Sequence, residues 1–481
     1  MFQIKLLACN ILLWLSLIPE TVGYLFALAY PARAQKKVLR SILKRMDLSE
    51  SNFRNCKTST YEDYSALIGK IRNDGEHPTY KDQVTRLCPT SGSTSQNKLI
   101  PYTPSLKQAF QKGMYPWMFF LYLMFPKLFL RRQYWSVTPL FENGNPWPES
   151  KVTIGFENDE DYVGAVQRLI TKTIWVDTGD IAKGVTSTEI FLAKLANKLK
   201  EEKLLGLVSV WSPSLLSLLA RKNPDTFPKN LVVSSWAHGF SEAEARNTTK
   251  QLNATLQPKG LLSTEACVTI PVGTETFLLA YNSHYFEFRE VTGEVLCTPD
   301  FLLVGHDYEV IVTTQSGFVR YTTGDVIRVT KKIFGLPSCE FIGRLGIVDL
   351  FGEKLDEISV YHLVEEVLDG HDVASLFWLL SPTKTNDGDV AYTLFIKTNT
   401  GITDKFVNDV DTCLRKVYHY DLCRNLGQLG HARIFVITNE SPEEVFIQKC
   451  GESRTARIGD IKILHVHSGF DWHTVFEGKF F

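Results

Sequence analysis

The sequence predicts an α/β protein. It should have a large N-terminal domain of parallel αβ layers plus a β-barrel-like section, followed by a small α+β C-terminal domain. Three observations carry this reading. First, LLGLVSVW (204–211) and LVVSSW (231–236) read as buried strands, and the helical pattern SLLSLLARK lies between them. That is the spacing of parallel βαβ units. Second, from about residue 268 the pattern changes to short strands separated by turns: VTIPVG, TFLLAY, YFEFREV, YEVIVTT, FVRYTTG and VIRVTKK. Third, helical and strand patterns alternate again after Arg344. The 481 residues suffice for two to four domains at roughly 100–200 residues each. The boundary is placed so that residues 1–345 form the large domain and 346–481 the small one.

Taken in order, the first element is the apolar stretch 6–30, in which Glu20 is the one charged residue. Its length would permit a membrane span, and Ala32-Arg33-Ala34 imitates a cleavage site. However, Pro19-Glu20-Thr21 breaks the run into two short pieces. The favoured reading is therefore a set of opening helices over 1–34, packed on the body and continuing into QKKVLRSILKRM; the alternatives are a membrane anchor or peripheral contact through residues 6–30, and a signal peptide. A second apolar block, WMFFLYLMFPKLFL (117–130), contains Pro126 and Lys127 and reads as a buried helix pair or a pocket wall. Thr186 with Glu189 resembles a capping box ahead of FLAKLANKLKEE. Ser212-Pro213 supplies an N-cap and a first-turn proline to the next helix. In the C-terminal part, LDEISVYHLVEEVL and DKFVNDVDTCLRKVYHY read as helices, and VASLFWLLSP, AYTLFIKT and ARIFVITN as strands.

Lys+Arg is 52 and Asp+Glu is 53. This balance lacks the basic excess of a nucleic-acid binder, so no nucleic-acid partner is expected. The nine cysteines are scattered without a C-x-x-C pair, as expected for thiols in a reducing, cytoplasmic setting. A membrane-associated location is the alternative, resting on residues 6–30. The H-x-H of His465 and His467 lacks the further ligands of a zinc site and reads as two strand histidines.

Five short motifs could carry chemistry. Thr90-Ser91-Gly92-Ser93-Thr94-Ser95-Gln96-Asn97-Lys98 crowds hydroxyls around a glycine and ends in a lysine. Backbone amides of such a loop form an anion nest, to which hydroxyls add donors. It is not a Walker A loop, because Asn97 and Leu99 stand where the second glycine and the Ser/Thr would be. Gly260-Leu261-Leu262-Ser263-Thr264-Glu265 ends in a carboxylate that could hold Mg²⁺ through oxygen. Gly324-Asp325 could accept both hydroxyls of a ribose. Arg344, at the expected domain junction, could serve a ribose or phosphate, or form a hinge ion pair. Lys462, in Gly459-Asp460-Ile461-Lys462, could meet an anion if the small domain folds over the large one. Taken singly, each motif also reads as an ordinary surface loop, strand end or turn.

In this order and spacing the motifs resemble the acyl-adenylate-forming superfamily, which contains firefly luciferase and the acyl-CoA synthetases. More narrowly, the chain resembles bacterial-type members of the auxin-responsive-promoter family of acyl acid amido synthetases. The carriers are PTSGST…KLIPYT (89–103), LLSTEACVTIP (261–271), YFEF (285–288), YEVIVTTQSGFVRYTTGDVIRV (308–329) and EFIGRLGIVDLFGEKLDE (340–357). The resemblance runs from about Gln35 to about Leu464. It implies two steps: a carboxylic acid and ATP give acyl-AMP and pyrophosphate, then an amine, usually of an amino acid, takes the acyl group and AMP leaves. It implies an ATP- and acyl-binding large domain and a mobile small lid domain rotating about a hinge near 344–350. It also implies site roles. Ser91, Gly92, Ser93, Thr94 and Lys98 hold the phosphates, with Lys98 among the catalytic residues. Ser263 belongs to the nucleotide site, Thr264 contacts the α-phosphate region and Glu265 is the Mg²⁺ ligand. Asp325 binds the ribose, Arg344 lies near the nucleotide, and Lys462 stabilises charge during adenylation. A monomer is expected. Three departures from the family pattern, a shorter loop with Asn97 for its second glycine, Leu261 in place of an aromatic residue and FVRYTT in place of a YRYR-type run, keep other outcomes open: a thioester-forming ligase using coenzyme A or a carrier protein, or a non-catalytic nucleotide- or acyl-binding homologue.

Overall fold

The computed structural model describes residues 2–75, 81–90, 98–136, 149–155, 165–178, 181, 188–222, 226–291, 293–345, 347–348, 350–351, 353, 355–384, 390–452, 463–467 and 472–481. The chain divides into two units, with the main division between Ile342 and Gly343.

The first unit opens with three helices: α1 (Phe2–Ser16), α2 (Ile18–Ala29) and α3 (Pro31–Arg45). The prolines that break the hydrophobic run are absorbed as helix starts. Pro19 lies in the first turn of α2 and Pro31 in that of α3, where a missing N–H leaves no intrahelical bond unmade. Leu6, Leu13 and Leu17 are buried in a cluster with Tyr115, Met118 and Leu121. The wholly buried Asn10 pins α1 more specifically. Its amide donates to the Phe129 carbonyl at 3.1 Å, and its oxygen accepts from the Tyr122 hydroxyl at 2.5 Å. Gln35 ties α3 to the body by donating to the Tyr281 and His284 carbonyls, each at 2.8 Å. The block 117–130 is the second half of one long helix, Pro104–Met124, followed by a 3₁₀ turn, Pro126–Leu130. The helix continues through Pro116.

The βαβ section forms a four-stranded sheet in the order Arg132–Trp135, Leu205–Ser209, Val232–Ser235, Thr255–Pro258. All its pairings are parallel. Helix Pro213–Lys222 links the second and third strands, and helix Glu242–Gln251 the third and fourth. Residue 186 of the expected capping box lies outside the described residues, but the helix it would start is present at Thr188–Glu201.

The turn-rich section forms a seven-stranded sheet. Its order is Leu296–Cys297, Tyr285–Glu290, Asp307–Thr313, Tyr321–Ile333, Leu336–Arg344, Phe277–Leu279, Thr269–Pro271. Pairing is antiparallel across the first four strands and across the last three.

The second unit has a four-stranded sheet of its own, in the order Ser375–Lys384, Val390–Thr398, Arg433–Ile437, Gly478–Phe480. Helices Glu357–Gly370, Asp404–Leu414 and Tyr418–Asn425 share a core with it through Val364, Phe406, Tyr420 and Leu394. Asp411 knits this unit together. Its carboxylate accepts from Arg424 Nε and Nη2, both at 3.1 Å, and from the Ala432 amide at 2.9 Å.

Candidate active site

The segment 91–97 lies outside the described residues, and so do Ser91, Gly92, Ser93 and Thr94; its two flanks form a hairpin. Strand β1 (Arg86–Pro89) pairs antiparallel with β2 (Leu99–Tyr102), with Pro89 opposite Leu99. The Thr90 amide donates to the Lys98 carbonyl at 2.9 Å, so the hairpin brings both ends of the segment together. The Leu99 amide donates to the Tyr61 hydroxyl at 2.8 Å, and the Lys98 ammonium lies 5.5 Å from the Tyr61 ring centroid. Burial holds the Tyr61 phenol above its usual range, and the negative charge of Glu265 acts in the same direction. Through Leu99, Tyr61 bonds to the first motif.

That second motif is a tight turn. The Ser263 amide donates to the Ala266 carbonyl at 2.9 Å, and the Ala266 amide returns to Ser263 Oγ at 3.2 Å. Leu262 bridges Cys267 across it. Gly260 is required just before the turn, since a Cβ there would meet the Thr269 carbonyl oxygen at 2.1 Å. Ser263 and Thr264 are half-buried, and the Glu265 side chain is almost fully enclosed.

The third motif sits on a bulge. Glu309 pairs with Val326 and Ile311 with Thr322, so residues 323–325 face Val310 alone. Gly324 takes φ +75° inside the bulge, a left-handed value that glycine adopts without strain. Bulges of this kind re-aim a side chain out of the regular alternation. Thr323 holds the bulge closed by donating to the Val310 carbonyl at 3.0 Å and accepting from the Asp325 amide at 3.1 Å. Asp325 itself is 0% exposed.

The same N-terminal segment links this strand to the hairpin. The Ser59 amide donates to the Arg320 carbonyl at 2.9 Å, and the Thr322 amide donates to the Ser59 carbonyl at 2.8 Å. The Tyr64 hydroxyl accepts from the Val319 amide at 2.9 Å. Arg320 is held by a bidentate pair to Glu287, 2.9 Å at each nitrogen. Residues 59–64 therefore tie the strand leading to Asp325 to the hairpin that carries Lys98. One core lies beneath all three motifs: Leu99, Ala266, Phe318 and Tyr321 belong to the same buried cluster, with Tyr61 packed against it.

The last two sequence candidates stand apart from this frame. Arg344 ends its strand just past the division between the units. Lys462 lies outside the described residues. The chain that follows it is docked within the second unit: Leu380 donates to the His465 carbonyl at 2.7 Å, and His467 donates back to the Leu380 carbonyl at 3.0 Å. His465 is a half-buried strand-edge residue packed on Trp378, with ring centroids 4.1 Å apart, and enclosure of the ring pushes its imidazole down to about 3.

Sequence reading missed two features. Tyr61 carried no motif, and its role became visible only through its contacts with Leu99 and Lys98. The other is an aromatic rim at the carboxyl ends of the parallel strands, the edge where open α/β sheets take their ligands. The buried Lys259 follows the last strand there, with its ammonium 3.9 Å from the Trp211 ring centroid. Trp236 lies 5.9 Å from Trp211. His238 is next along this rim, and burial pushes its imidazole down to about 4, so it is neutral near pH 7. Of the residues considered as pocket walls, Trp117 is buried with its ring centroid 5.6 Å from the same Lys259 ammonium, and Phe119 is half-buried against the first helix. Trp117 bonds Gln257 at 3.4 Å, and Phe119 stacks on Trp14 at 4.8 Å.

The sequence matches the GH3 family N-terminal domain over residues 26–140 and the GH3 family central domain over residues 277–344. Together the two matches cover less than half of the chain. The first GH3 match includes Tyr61 and the loop ending at Lys98; the second includes Asp325 and Arg344; Glu265 and Lys462 fall outside both. The chain is 28% identical over 223 residues to a probable indole-3-acetic acid-amido synthetase of Oryza sativa subsp. japonica, covering 39% of this chain and 47% of that protein. It is 49% identical over 45 residues to an indole-3-acetic acid-amido synthetase of Arabidopsis thaliana, covering 9% and 8%. The matched region thus spans about half the length of the first relative and far less of the second. The fold matches a solved GH3.15 acyl acid amido synthetase with a TM-score of 0.72 at 17% identity, over 93% of each chain.

Proposed function

We propose that this chain activates a carboxylic acid with ATP as an acyl-AMP and passes the acyl group to an amine, of an amino acid by preference, giving an amide and AMP. The observation that carries the reading is the Tyr61 frame, in which the base of the phosphate loop, the Ser263–Ala266 turn and the strand leading to Asp325 hang on one core. Transfer chemistry at phosphorus needs positioned donors and fixed charge more than reactive side chains, and such a frame supplies both. The GH3 domains and the amido synthetase fold support the same reading.

In this proposal Ser91, Gly92, Ser93, Thr94 and Lys98 receive the phosphates, Ser263 and Thr264 line the α-phosphate region, and Arg344 lies near the nucleotide. Glu265 suits Mg²⁺: its oxygen donors sit in a backbone-locked turn beside two hydroxyl residues. Bound with ATP, the ion would offset phosphate charge. Asp325 would accept the ribose hydroxyls; because it is enclosed, a ribose reaches it only after a neighbouring segment gives way. The acid would enter along the rim formed by Trp211, Trp236 and Lys259. Lys462 would steady the charge that builds up as pyrophosphate leaves.

The test is AMP release from ATP and Mg²⁺ by the purified chain, with pooled carboxylic acids and pooled amino acids, read by mass spectrometry. Acid-dependent AMP with a new amide mass supports the proposal and names both substrates. AMP with a thioester only when coenzyme A is added moves the reading to a thioester-forming ligase. No AMP and no ATP binding moves it to a non-catalytic homologue, the reading that the full burial of Asp325 favours.

A further inference from the structure

The opening helices have two unlike faces. The inner face is pinned by the Asn10 bonds and by buried Leu6, Leu13, Leu17 and Tyr24. The outer face exposes Ile4, Leu12, Leu15, Val22, Leu25 and Phe26, with Ile4 at 74% and Phe26 at 65%. Six exposed large apolar side chains on two successive helices mark a place that something covers.

Charge indicates what covers it. Residues 2–45 hold seven basic side chains and one acid, Glu20, whereas the rest of the chain has more acidic than basic side chains. Exposed Lys5 lies on α1, and α3 follows α2 directly with exposed Arg33, Lys36, Lys37 and Lys44. An apolar helical face flanked by a basic helix fits an anionic lipid surface: the apolar side chains enter the acyl boundary, and the cations meet the headgroups. A second copy of this chain would bring the same basic helices against each other.

By length and composition Phe2–Ala29 could also cross a membrane. Crossing would require Asn10 and the buried leucines to leave their partners in the protein. Lying in the interface uses only the face already exposed.

We propose that α1 and α2 dock the protein on the surface of an anionic phospholipid bilayer without spanning it, with α3 supplying the electrostatic attraction. The inference is independent of the catalytic reading. It is tested by flotation of the purified full chain with vesicles of phosphatidylcholine alone and with 30% phosphatidylserine, at low and high salt. The expected result is at least tenfold greater recovery on the phosphatidylserine vesicles, reduced by salt and released by alkaline carbonate. L25D/F26D should abolish flotation with unchanged circular dichroism and melting, because both side chains are exposed. K36E/K37E should remove the preference for phosphatidylserine and leave weak binding to either vesicle. Lack of flotation, equal recovery on both vesicles, or resistance to carbonate would overturn the proposal. A concentration-dependent dimer that L25D/F26D dissociates would overturn it in favour of self-association.

Discussion

The two units secure their critical polar groups in opposite ways. In the second unit, Asp411 is a structural carboxylate. Its bonds to Arg424, Ala432 and, at 3.3 Å, Tyr420 all stay within residues 411–432 and join two helices to a strand. In the first unit, the residues around the β1–β2 hairpin are held by partners far apart in sequence: Tyr61 with Leu99, Ser59 with Arg320 and Thr322, and Tyr64 with Val319. The second arrangement holds loops and turns in place from behind and leaves their tips for other work. The first uses a carboxylate's accepting capacity to fix a fold. At these two places a locally saturated carboxylate fixes a fold, whereas long-range backbone bracing holds the hairpin, as it also holds the opening helices through Asn10 and Gln35.

The largest expected effect comes from breaking the saturated network. Asp411→Ala leaves Arg424 buried without its partner and should cost about 3–5 kcal/mol. In a two-phase melt the second unit should unfold early while the first holds its transition. The same group sets a pH dependence. Burial alone would raise its pKa, but the Arg424 hydrogen bonds, the Ala432 amide and the Arg424 charge outweigh that and hold it below the usual aspartate value of 3.8. A folded pKa below the unfolded one means that this stability is present above about pH 4 and is lost as pH falls through the folded value. Acid titration followed by circular dichroism should therefore weaken the second unit in wild type more steeply than in Asp411→Asn.

Next in size is Asp325→Ala. If it holds the ribose, about 1.5–3 kcal/mol per charge-assisted bond is lost, chiefly as a raised KM for ATP; an unchanged KM would remove the ribose assignment. Smallest is Tyr61→Phe. The ring stays and the Leu99 amide loses its acceptor, a loss of roughly 1 kcal/mol. With the hairpin's brace gone, ATP turnover should fall while the melting of the second unit is untouched. Equal loss of stability in both units would blur the contrast.

Much of the fold was legible in sequence because it rests on local periodicity. LVVSSW and SLLSLLARK declare a strand and a helix within a few residues, and VASLFWLLSP and AYTLFIKT gave their strands for the same reason. The hydrophobic run 6–30 was ambiguous by composition, and its inner face became visible only through Asn10, whose partners lie over a hundred residues away. The motifs around Glu265 and Asp325 were legible because turns and bulges demand glycine at set places, as at Gly260 and Gly324. Tyr61 and Lys259 were not, because nothing near them in sequence signals a buried cation against tryptophan or a phenol bracing a distant amide. Lys462 and the loop 91–97 rest on the sequence alone.

The central claim is acid activation through an adenylate, and its reverse reaction tests it most directly. Labelled pyrophosphate should exchange into ATP when the protein is given Mg²⁺ and a carboxylic acid, with no amine present, and Lys462→Ala should suppress that exchange. Exchange absent with every acid supplied, or proceeding equally well without acid, would contradict the account.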